Sequence, residues 1–185
     1  MADISMKKRV LIALLSAVII IIGAILICRA LFPLKYKAEI EKYSDKYGVD
    51  KYLVVSLIKA ESNFDEKAVS HAGAKGLMQL TEETFEYSLS NTALSTEDAD
   101  IFTPESNIRC GVWYLSTLLK KYDGNITNSV AAYNAGSTNV DKWLSDKSLS
   151  ANGETLDNIP FGETLRHTKK ISKYMAIYKI LYPKW

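Results

Sequence analysis

The sequence predicts an all-α protein in which a helical domain follows a single apolar helix near the N-terminus. Residues 10–28 form a run of nineteen residues without a charge. From residue 36 onward, apolar residues recur at helical spacing between capping residues and glycines, and no convincing strand pattern interrupts them. At 185 residues the chain is long enough for one domain with a proper core and an appendage.

The apolar run predicts a membrane anchor. At about 1.5 Å per residue, residues 10–28 nearly match the roughly 30 Å hydrocarbon core of a bilayer. We therefore expect residues 1–32 to form a cytoplasmic tip and a transmembrane anchor in the cytoplasmic membrane, and residues 33–185 to form a domain on its outer side. The flanking charges favour this single-pass orientation modestly, because Lys7, Lys8 and Arg9 precede the run with only Asp3 opposing, while Arg29, Lys35 and Lys37 follow it.

A cleaved signal peptide is the main alternative for this segment, since a basic start and an apolar run suit both. The run exceeds the usual length of about 7 to 15 residues for a signal core, and no A-x-A-like site stands at its end. Lipidation of Cys28 is not expected, because the bulky Ile27 precedes it and Arg29 follows it. The sequence therefore favours an anchor that is retained.

Outside the anchor the charge is nearly balanced. Residues 1–32 hold four of the 23 basic and one of the 21 acidic residues, which leaves 19 basic and 20 acidic residues in the remainder. This balance does not indicate a basic surface that would bind nucleic acid. Cys28 and Cys110 cannot pair within the domain, and Cys110 is expected to be a small core residue. No metal or cofactor is expected, because His71 and His167 are the only histidines and no ligand cluster accompanies them.

Seven segments of the domain are predicted to be helical, with approximate ranges 36–47, 51–60, from 81 onward, 104–124, 126–135, 140–144 and 163–181. The start signal at Thr103 is strong, since a capping residue is followed by proline at the first helical position. The helix that follows is expected to be the core helix, with Ile108, Val112, Leu115, Leu118, Leu119 and Tyr122 facing inward. Residues 91–100 and 145–158 are polar and predict loops.

A carboxyl group ends the second of these helices where its apolar face runs out. Leu57 and Ile58 precede Glu61 at helical spacing, so the side chain is expected to be partly buried. Burial and the negative partial charge of a helix C-terminus both disfavour an ionised carboxylate, which suits a general acid. The small residues Ala72, Gly73, Ala74 and Gly76 follow and let backbone approach a ligand closely. We therefore predict that residues 60–80 form the wall of a cleft, with Glu61 as its catalytic residue.

Four short motifs follow one another in order. They are Glu-Ser-Asn-Phe from Glu61, Ala-Val-Ser-x-Ala-Gly-Ala-x-Gly-Leu-Met-Gln up to Gln79, Ala-Ala-Tyr-Asn-Ala-Gly around Tyr133, and Ile-Pro-x-x-Glu-Thr around Glu163. The series resembles the lytic transglycosylases of the soluble-lytic-transglycosylase (SLT) type, goose-lysozyme-like enzymes that cut peptidoglycan. The resemblance covers about residues 36–182. It implies a lysozyme-like α-helical domain, peptidoglycan glycan strands as the substrate, and local wall remodelling in which wall-spanning or division machinery is a possible partner.

The resemblance also implies a role for individual residues. Glu61 matches the catalytic acid and base of the family. The loop that lines the saccharide cleft, the Ala-Tyr-Asn-Ala-Gly motif and the late Glu-Thr motif supply the remaining positions. The predicted substrate-binding residues are Ser62, Ser70, Gly76, Met78, Gln79, Tyr133, Asn134 and Glu163.

One position departs from the family pattern. The family commonly has a tyrosine three residues beyond the threonine of its Glu-Thr motif, and this chain has His167 there. Either His167 makes a hydrogen bond comparable to that of the tyrosine, or this part of the site is weaker than in the family. A third alternative is that His167 lies on the outer side of the last helix and takes no part in the site. The predicted site therefore omits His167.

Apart from Glu163, to which the resemblance gives a role in holding the site together, the motifs contain no second carboxylate that could partner Glu61, whereas ordinary glycosidases use two. Asp65 is near in sequence but falls in a predicted solvated turn. This favours assistance from the substrate, in which Glu61 acts first as acid and then as base while the C6 hydroxyl of N-acetylmuramic acid closes a 1,6-anhydro ring. A lysozyme-type hydrolase and a non-catalytic wall-binding assembly component are the alternatives.

Overall fold

The computed structural model describes residues 6–92 and 99–185. The helices in these ranges are α1 (Met6–Leu31), α2 (Lys37–Tyr47), α3 (Lys51–Glu61), α4 (Glu82–Thr92), α5 (Pro104–Lys121), α6 (Ile126–Ala135), α7 (Ser137–Ser145) and α8 (Gly162–Leu181). Within the described residues the only β pairing is two isolated bridges, which join Lys75 to Val69 and to Leu80. The prediction of an all-α fold is therefore confirmed. Residues 1–5 of the expected cytoplasmic tip and residues 93–98 of the expected loop lie outside the described residues.

Helix α1 contains the predicted apolar run and extends beyond it at both ends. Its large apolar side chains are exposed, and Ile19 and Ile20 keep about 70% of their surface. The segment Lys8–Leu31 is long and apolar enough to cross a membrane, as judged by length and composition. Among the described residues, nothing covers this apolar surface.

Local sequence signals account for several helix ends. Helix α3 begins where the Asp50 carboxylate accepts a hydrogen bond from the backbone N–H of Tyr52 at 2.8 Å. Helix α2 ends at Gly48, whose φ of 69° is a left-handed conformation that glycine adopts without strain. Thr103 occupies the predicted capping position before Pro104, but its side chain makes no capping hydrogen bond.

Helix α5 lies at the centre of the domain, as predicted. Its inward residues Ile108, Val112 and Leu115 are fully buried, and so is Cys110. Burial of each large aliphatic side chain stabilises the fold by about 1.5–3 kcal/mol. Helices α2, α4 and α6 pack against α5, while α8 packs against both α3 and α6. This arrangement brings the C-terminal ends of α3 and α6 to the first turns of α8.

The domain follows α1 without a separate linker. The guanidinium of Arg29, near the end of α1, donates to the carbonyl of Leu181 at 3.1 Å. The hydroxyl of Tyr182 donates to the carbonyl of Phe32 at 2.8 Å, and the Phe32 ring meets Tyr174 edge to face with ring centres 5.1 Å apart. The C-terminal end of α8 therefore lies beside the C-terminal end of α1.

Candidate active site

Glu61 is the last residue of α3, at the point where the buried face of this helix meets a loop. Leu57 and Ile58 in the preceding turn are fully buried, whereas the Glu61 side chain keeps 15% of its surface exposed. A ligand can still reach Glu61, so its position suits proton transfer.

His167 of α8 faces Glu61 directly. Its Nε2 atom lies 2.9 Å from Oε1 of Glu61, and only 10% of its side chain is exposed. The contact is short, but it lacks the alignment of a good hydrogen bond, and Nδ1 is buried without a hydrogen-bond partner among the described residues. The sequence prediction omitted His167, although the missing tyrosine was the signal that pointed to this position.

Ser62 connects the end of α3 to the following loop through hydrogen bonds. Its hydroxyl donates to the carbonyl of Leu77 at 2.8 Å and accepts a hydrogen bond from the backbone N–H of Phe64 at 3.2 Å. Asn63 and Phe64 have φ angles of 53° and 66°, a left-handed conformation that is uncommon for residues with side chains. Ser62 therefore holds a sharp turn directly behind Glu61.

Gly76 allows this loop to approach α5 closely. Its φ is 75°, and a Cβ atom at this position would lie 2.3 Å from Nδ2 of Asn107. Asn107 is fully buried and makes three hydrogen bonds: its Oδ1 accepts from the N–H of Met78 at 2.8 Å, and its Nδ2 donates to the carbonyls of Ile101 at 2.8 Å and Lys75 at 3.1 Å. Asn107 thus fixes the position of the loop.

Met78 supports the site through its backbone. Its side chain is fully buried against α5, where a Cβ atom on Gly111 would come within 2.4 Å of the Met78 sulfur. A fully buried side chain does not contact a ligand, so Met78 holds the loop instead of lining the cleft as expected. Its carbonyl accepts a hydrogen bond from the hydroxyl of Tyr133 at 2.8 Å.

Tyr133 of α6 connects this loop to the surroundings of Glu61. Its ring packs on that of Tyr114, with ring centres 5.5 Å apart. Burial, and secondarily the negative charge of Glu61, raise the pKa of Tyr133 well above its usual value. The phenol therefore stays protonated at any physiological pH and remains a donor to the Met78 carbonyl.

Gln79 and Ser70 are tied into the loop itself. Nε2 of Gln79 donates to the carbonyls of Gly76 at 2.8 Å and Ala68 at 3.1 Å. Both amide hydrogens are then used, so the side-chain oxygen of Gln79 is the group left to meet a ligand. The hydroxyl of Ser70 accepts a hydrogen bond from the N–H of Ala74 at 3.0 Å. No hydrogen bond among the described residues links Ser70 to the rest of the predicted site.

Asn134 and Glu163 lie on a second wall, where the end of α6 meets the start of α8. Oδ1 of Asn134 accepts a hydrogen bond from the hydroxyl of the buried Thr164 at 2.7 Å. Asn134 and the exposed Glu163 both line a cavity of about 600 Å³ together with residues 160–162. Glu61 does not line this cavity.

The predicted residues thus fall into two groups that meet at His167. Glu61, Ser62, Ser70, Gly76, Met78, Gln79 and Tyr133 form or surround one loop, and Asn134 and Glu163 form the second wall. His167 follows Glu163 by about one helical turn and contacts Glu61. Asn107 and Thr164 were missed, because a polar residue on an apolar helix carries no local sign of which backbone group it will bind.

In residues 6–92 and 99–185, no group of three or more His, Cys, Asp and Glu side chains is placed to hold a metal ion. The groups that meet in the site are the carboxyl of Glu61, the imidazole of His167, and the hydroxyl and amide groups that order the loop. This set can transfer protons and can orient a polar ligand.

Comparison with known proteins finds related sequences and structures. The sequence model described as the Transglycosylase SLT domain matches residues 38–154. The chain is 34% identical over 167 residues to the membrane-bound lytic murein transglycosylase C of Cronobacter sakazakii, covering 78% of this chain and 46% of that protein. It is 28% identical over 151 residues to the soluble lytic murein transglycosylase of Escherichia coli K12, covering 80% of this chain and 23% of that protein.

Two solved structures resemble the fold. The 70 kDa soluble lytic transglycosylase of Escherichia coli superposes with a TM-score of 0.73 at 26% identity, covering 83% of this chain and 25% of that one. An inactive mutant of the lytic transglycosylase Slt from Pseudomonas aeruginosa gives a TM-score of 0.70 at 29% identity, covering 80% of this chain and 24% of that one. The chain therefore spans less than half the length of each of these proteins.

These likenesses place the helical domain in the lysozyme-like fold, as the sequence predicted. The chain belongs to the Transglycosylase SLT domain family.

Proposed function

We propose that this protein is a peptidoglycan lytic transglycosylase. Its substrate is the β-1,4 bond between N-acetylmuramic acid and N-acetylglucosamine in glycan strands, and its product carries a 1,6-anhydro-N-acetylmuramic acid end. The names of the related proteins and the matching family model support this activity.

The position of Glu61 is the observation that carries the proposal. Glu61 is the carboxyl that contacts His167 at the junction of α3, the loop and α8, and the two acidic residues that follow it in sequence make contacts elsewhere. Asp65 is exposed and accepts a hydrogen bond from the N–H of Lys67 at 3.0 Å, and Glu66 lies 3.4 Å from the hydroxyl of Tyr36. A single carboxyl suits a mechanism that the substrate assists.

In this mechanism protonated Glu61 donates to the glycosidic oxygen as the bond to the anomeric carbon breaks. The oxygen of the 2-acetamido group stabilises the positive charge that develops on that carbon. Ionised Glu61 then takes the proton of the C6 hydroxyl, whose oxygen bonds to the anomeric carbon and closes the anhydro ring. Glu61 ends the cycle protonated, and no water is consumed.

Digestion of purified glycan strands by the full chain in detergent tests the activity, with mass spectrometry to identify the ends. Anhydro ends are expected from the wild type. Glu61→Gln is expected to lower the rate by about 10²–10⁴-fold, the usual contribution of a general acid or base. Glu86→Gln is the matched control, because Glu86 is an exposed residue of α4. Binding of glycan without cleavage by the wild type would instead favour a wall-binding assembly component.

We also propose that α1 anchors the protein in the cytoplasmic membrane with the domain on the outer, cell-wall side. The exposed apolar surface of α1 supports an anchor, and the basic residues that precede its apolar run support this orientation. The direct contacts of Arg29 and Phe32 with α8 support a domain held close to the membrane. An enzyme held there suits local opening of the wall, for example beside wall-spanning or division machinery.

Labelling of a new surface cysteine tests the orientation. Ser148→Cys places a thiol in an exposed loop far from the site in sequence. A membrane-impermeant maleimide is expected to label this variant in cells whose outer layers have been removed. Labelling that occurs only after the cytoplasmic membrane is broken would contradict the proposed orientation.

A further inference from the structure

A cavity with a basic lining lies where the C-terminal end of α8 meets the end of α1. Its volume is about 420 Å³, and three of its lining side chains are basic, those of Arg29, Lys37 and Lys184. The other described residues that line it are apolar or aromatic, and none of them is acidic. Residues 33–185 hold 19 basic and 20 acidic residues, so the cavity is a local excess of positive charge beside a nearly neutral domain.

The three basic side chains are open to a ligand. Arg29 and Lys184 are exposed. Lys37 keeps 53% of its side-chain surface, and its Nζ lies 3.9 Å from Oε1 of Glu41. An exposed ion pair at this distance contributes little to stability. The guanidinium of Arg29 donates to the carbonyl of Leu181 through one nitrogen, which leaves other N–H donors for an anion.

Contacts within the protein hold the wall of the cavity in place. The hydroxyl of Tyr52 donates to the carbonyls of Tyr182 at 2.6 Å and Trp185 at 3.1 Å. The rings of Tyr52 and Trp185 meet edge to face with their centres 5.2 Å apart, and the guanidinium of Arg29 lies 5.4 Å from the centre of the Tyr182 ring. The cavity is therefore formed before a ligand arrives, which lowers the entropy cost of binding.

Arg29 relates the cavity to the proposed membrane anchor. It directly follows the uncharged run of residues 10–28, so a bilayer that covers this run brings its headgroups to the level of Arg29. Tyrosine and tryptophan are enriched at this level of a membrane, and Tyr182 and Trp185 line the same cavity. The cavity therefore opens where the phosphate groups of lipids would lie.

We propose that this cavity binds the phosphate group of an anionic phospholipid. The guanidinium of Arg29 donates hydrogen bonds to the phosphate oxygens, and the ammonium groups of Lys37 and Lys184 add positive charge beside them. A lipid contact beside α1 limits the tilt of the domain, and with it the height above the bilayer of His167, which lies about 20 Å along α8 from its C-terminal end. The proposal rests on the proposed anchoring of α1 and is independent of the catalytic role of Glu61.

Acetylation of lysines in the full chain tests the site, with an uncharged amine reagent and peptide mass spectrometry. The chain is placed in nanodiscs of phosphatidylcholine alone or of phosphatidylcholine mixed with phosphatidylglycerol. Lys37 and Lys184 are expected to react about fivefold more slowly in the mixed discs. Lys35 is exposed and does not line the cavity, so it reports the general effect of a negative surface, and the exposed Lys142 of α7 reports the effect away from the cavity. Equal slowing of Lys35 and the two cavity lysines would overturn the proposal.

A pair of double variants tests the same site through the lipid that it retains. The full chain is purified from detergent micelles that contain equal amounts of the two lipids, and the bound lipids are counted by mass spectrometry. Lys37→Gln with Lys184→Gln is expected to lower the ratio of bound phosphatidylglycerol to phosphatidylcholine about fivefold for each lysine replaced. Lys142→Gln with Lys147→Gln makes the same change of charge at exposed positions outside the cavity and should keep the wild-type ratio. A wild-type ratio in K37Q/K184Q would refute the site.

Two further outcomes separate this proposal from its alternatives. Inorganic phosphate added to discs of phosphatidylcholine should leave Lys37 and Lys184 reactive, and protection by inorganic phosphate alone would contradict a lipid site. Migration of the chain with the discs tests the anchor itself, and a chain that stays outside the discs would overturn both proposals. A chain that enters the discs while its cavity lysines stay fully reactive would overturn the lipid site alone. None of these measurements depends on glycan cleavage.

Discussion

Replacement of Asn107 by alanine should remove the hydrogen bonds that hold the loop containing Gly76 and Met78 and should lower the stability of the domain. Asn107 is fully buried, and its side chain makes three hydrogen bonds to the backbone of Met78, Ile101 and Lys75. Each buried backbone group left without its hydrogen bond lowers the free energy of unfolding by about 1–1.5 kcal/mol, at the low end of measured values. With three such groups, N107A should lower the free energy of unfolding by about 3–4 kcal/mol. This is a large part of the 5–15 kcal/mol that typically stabilises a domain.

Thermal unfolding followed by tryptophan fluorescence measures this loss, and a fall in melting temperature of about 10 °C is expected for a domain of this size. Asn91→Ala is the matched control. Asn91 is exposed on α4, and its amide donates to the carbonyl of Tyr87 at 2.8 Å, so its removal should cost under about 0.5 kcal/mol. Equal melting temperatures for N107A and N91A would refute the view that Asn107 holds the loop.

Three further predictions concern other parts of the structure. Gly76→Ala should destabilise the domain by about 2–4 kcal/mol, because the new side chain would sit at a left-handed φ and would overlap Asn107. Gly124→Ala is the control, since Gly124 has a similar φ of 78° in open space, and it should destabilise the domain by only about 1–2 kcal/mol. Equal losses of stability in thermal unfolding would contradict the close approach of Gly76 to Asn107. Burial raises the pKa of Cys110 to about 11, so at pH 8 only about 0.1% of this thiol should be ionised and its alkylation should be slow. Peptide mass spectrometry measures the alkylation of Cys110 in the folded protein, and rapid alkylation would contradict its burial. Glu163→Gln should reduce the rate of glycan cleavage by roughly tenfold at most, much less than the 10²–10⁴-fold expected for E61Q, and its products should still carry anhydro ends. A loss of rate as large as that of E61Q would show that Glu163 is a second catalytic carboxyl.

Much of the fold follows from local sequence. Helix α6 has the predicted bounds, because Asn125 caps its first turn and Gly136 ends it. Of the residues predicted to face inward from α5, Ile108, Val112, Leu115, Leu118 and Tyr122 are buried and Leu119 is partly buried, since periodicity determines which side of a helix is apolar. Helix α7 was predicted only as a turn or two around Val140. Its start was missed because Gly136 both ends α6 and precedes α7, without a side chain that could cap the new helix.

The site was harder to predict, because its geometry depends on contacts between distant parts of the chain. Periodicity placed Glu61 at the edge of the buried face of α3, where the structure also has it. The same reasoning could not tell whether His167 faced inward or outward on α8, since that depends on how α8 packs against α3. The motif around Met78 indicated a cleft, whereas the fully buried side chain shows that part of this motif serves packing. Asn107 carried no functional pattern, although it positions the loop.

The fate of water during cleavage tests the central proposal most directly. Glycan strands are digested by the full chain in water enriched in ¹⁸O, and the masses of the new ends are measured. Closure of the ring by the C6 hydroxyl takes up no water, so the new N-acetylmuramic acid ends should be anhydro and carry no ¹⁸O. New reducing ends that contain one ¹⁸O atom per cut would show that water attacks the anomeric carbon, and would contradict the assignment of Glu61 as acid and base of a transglycosylase.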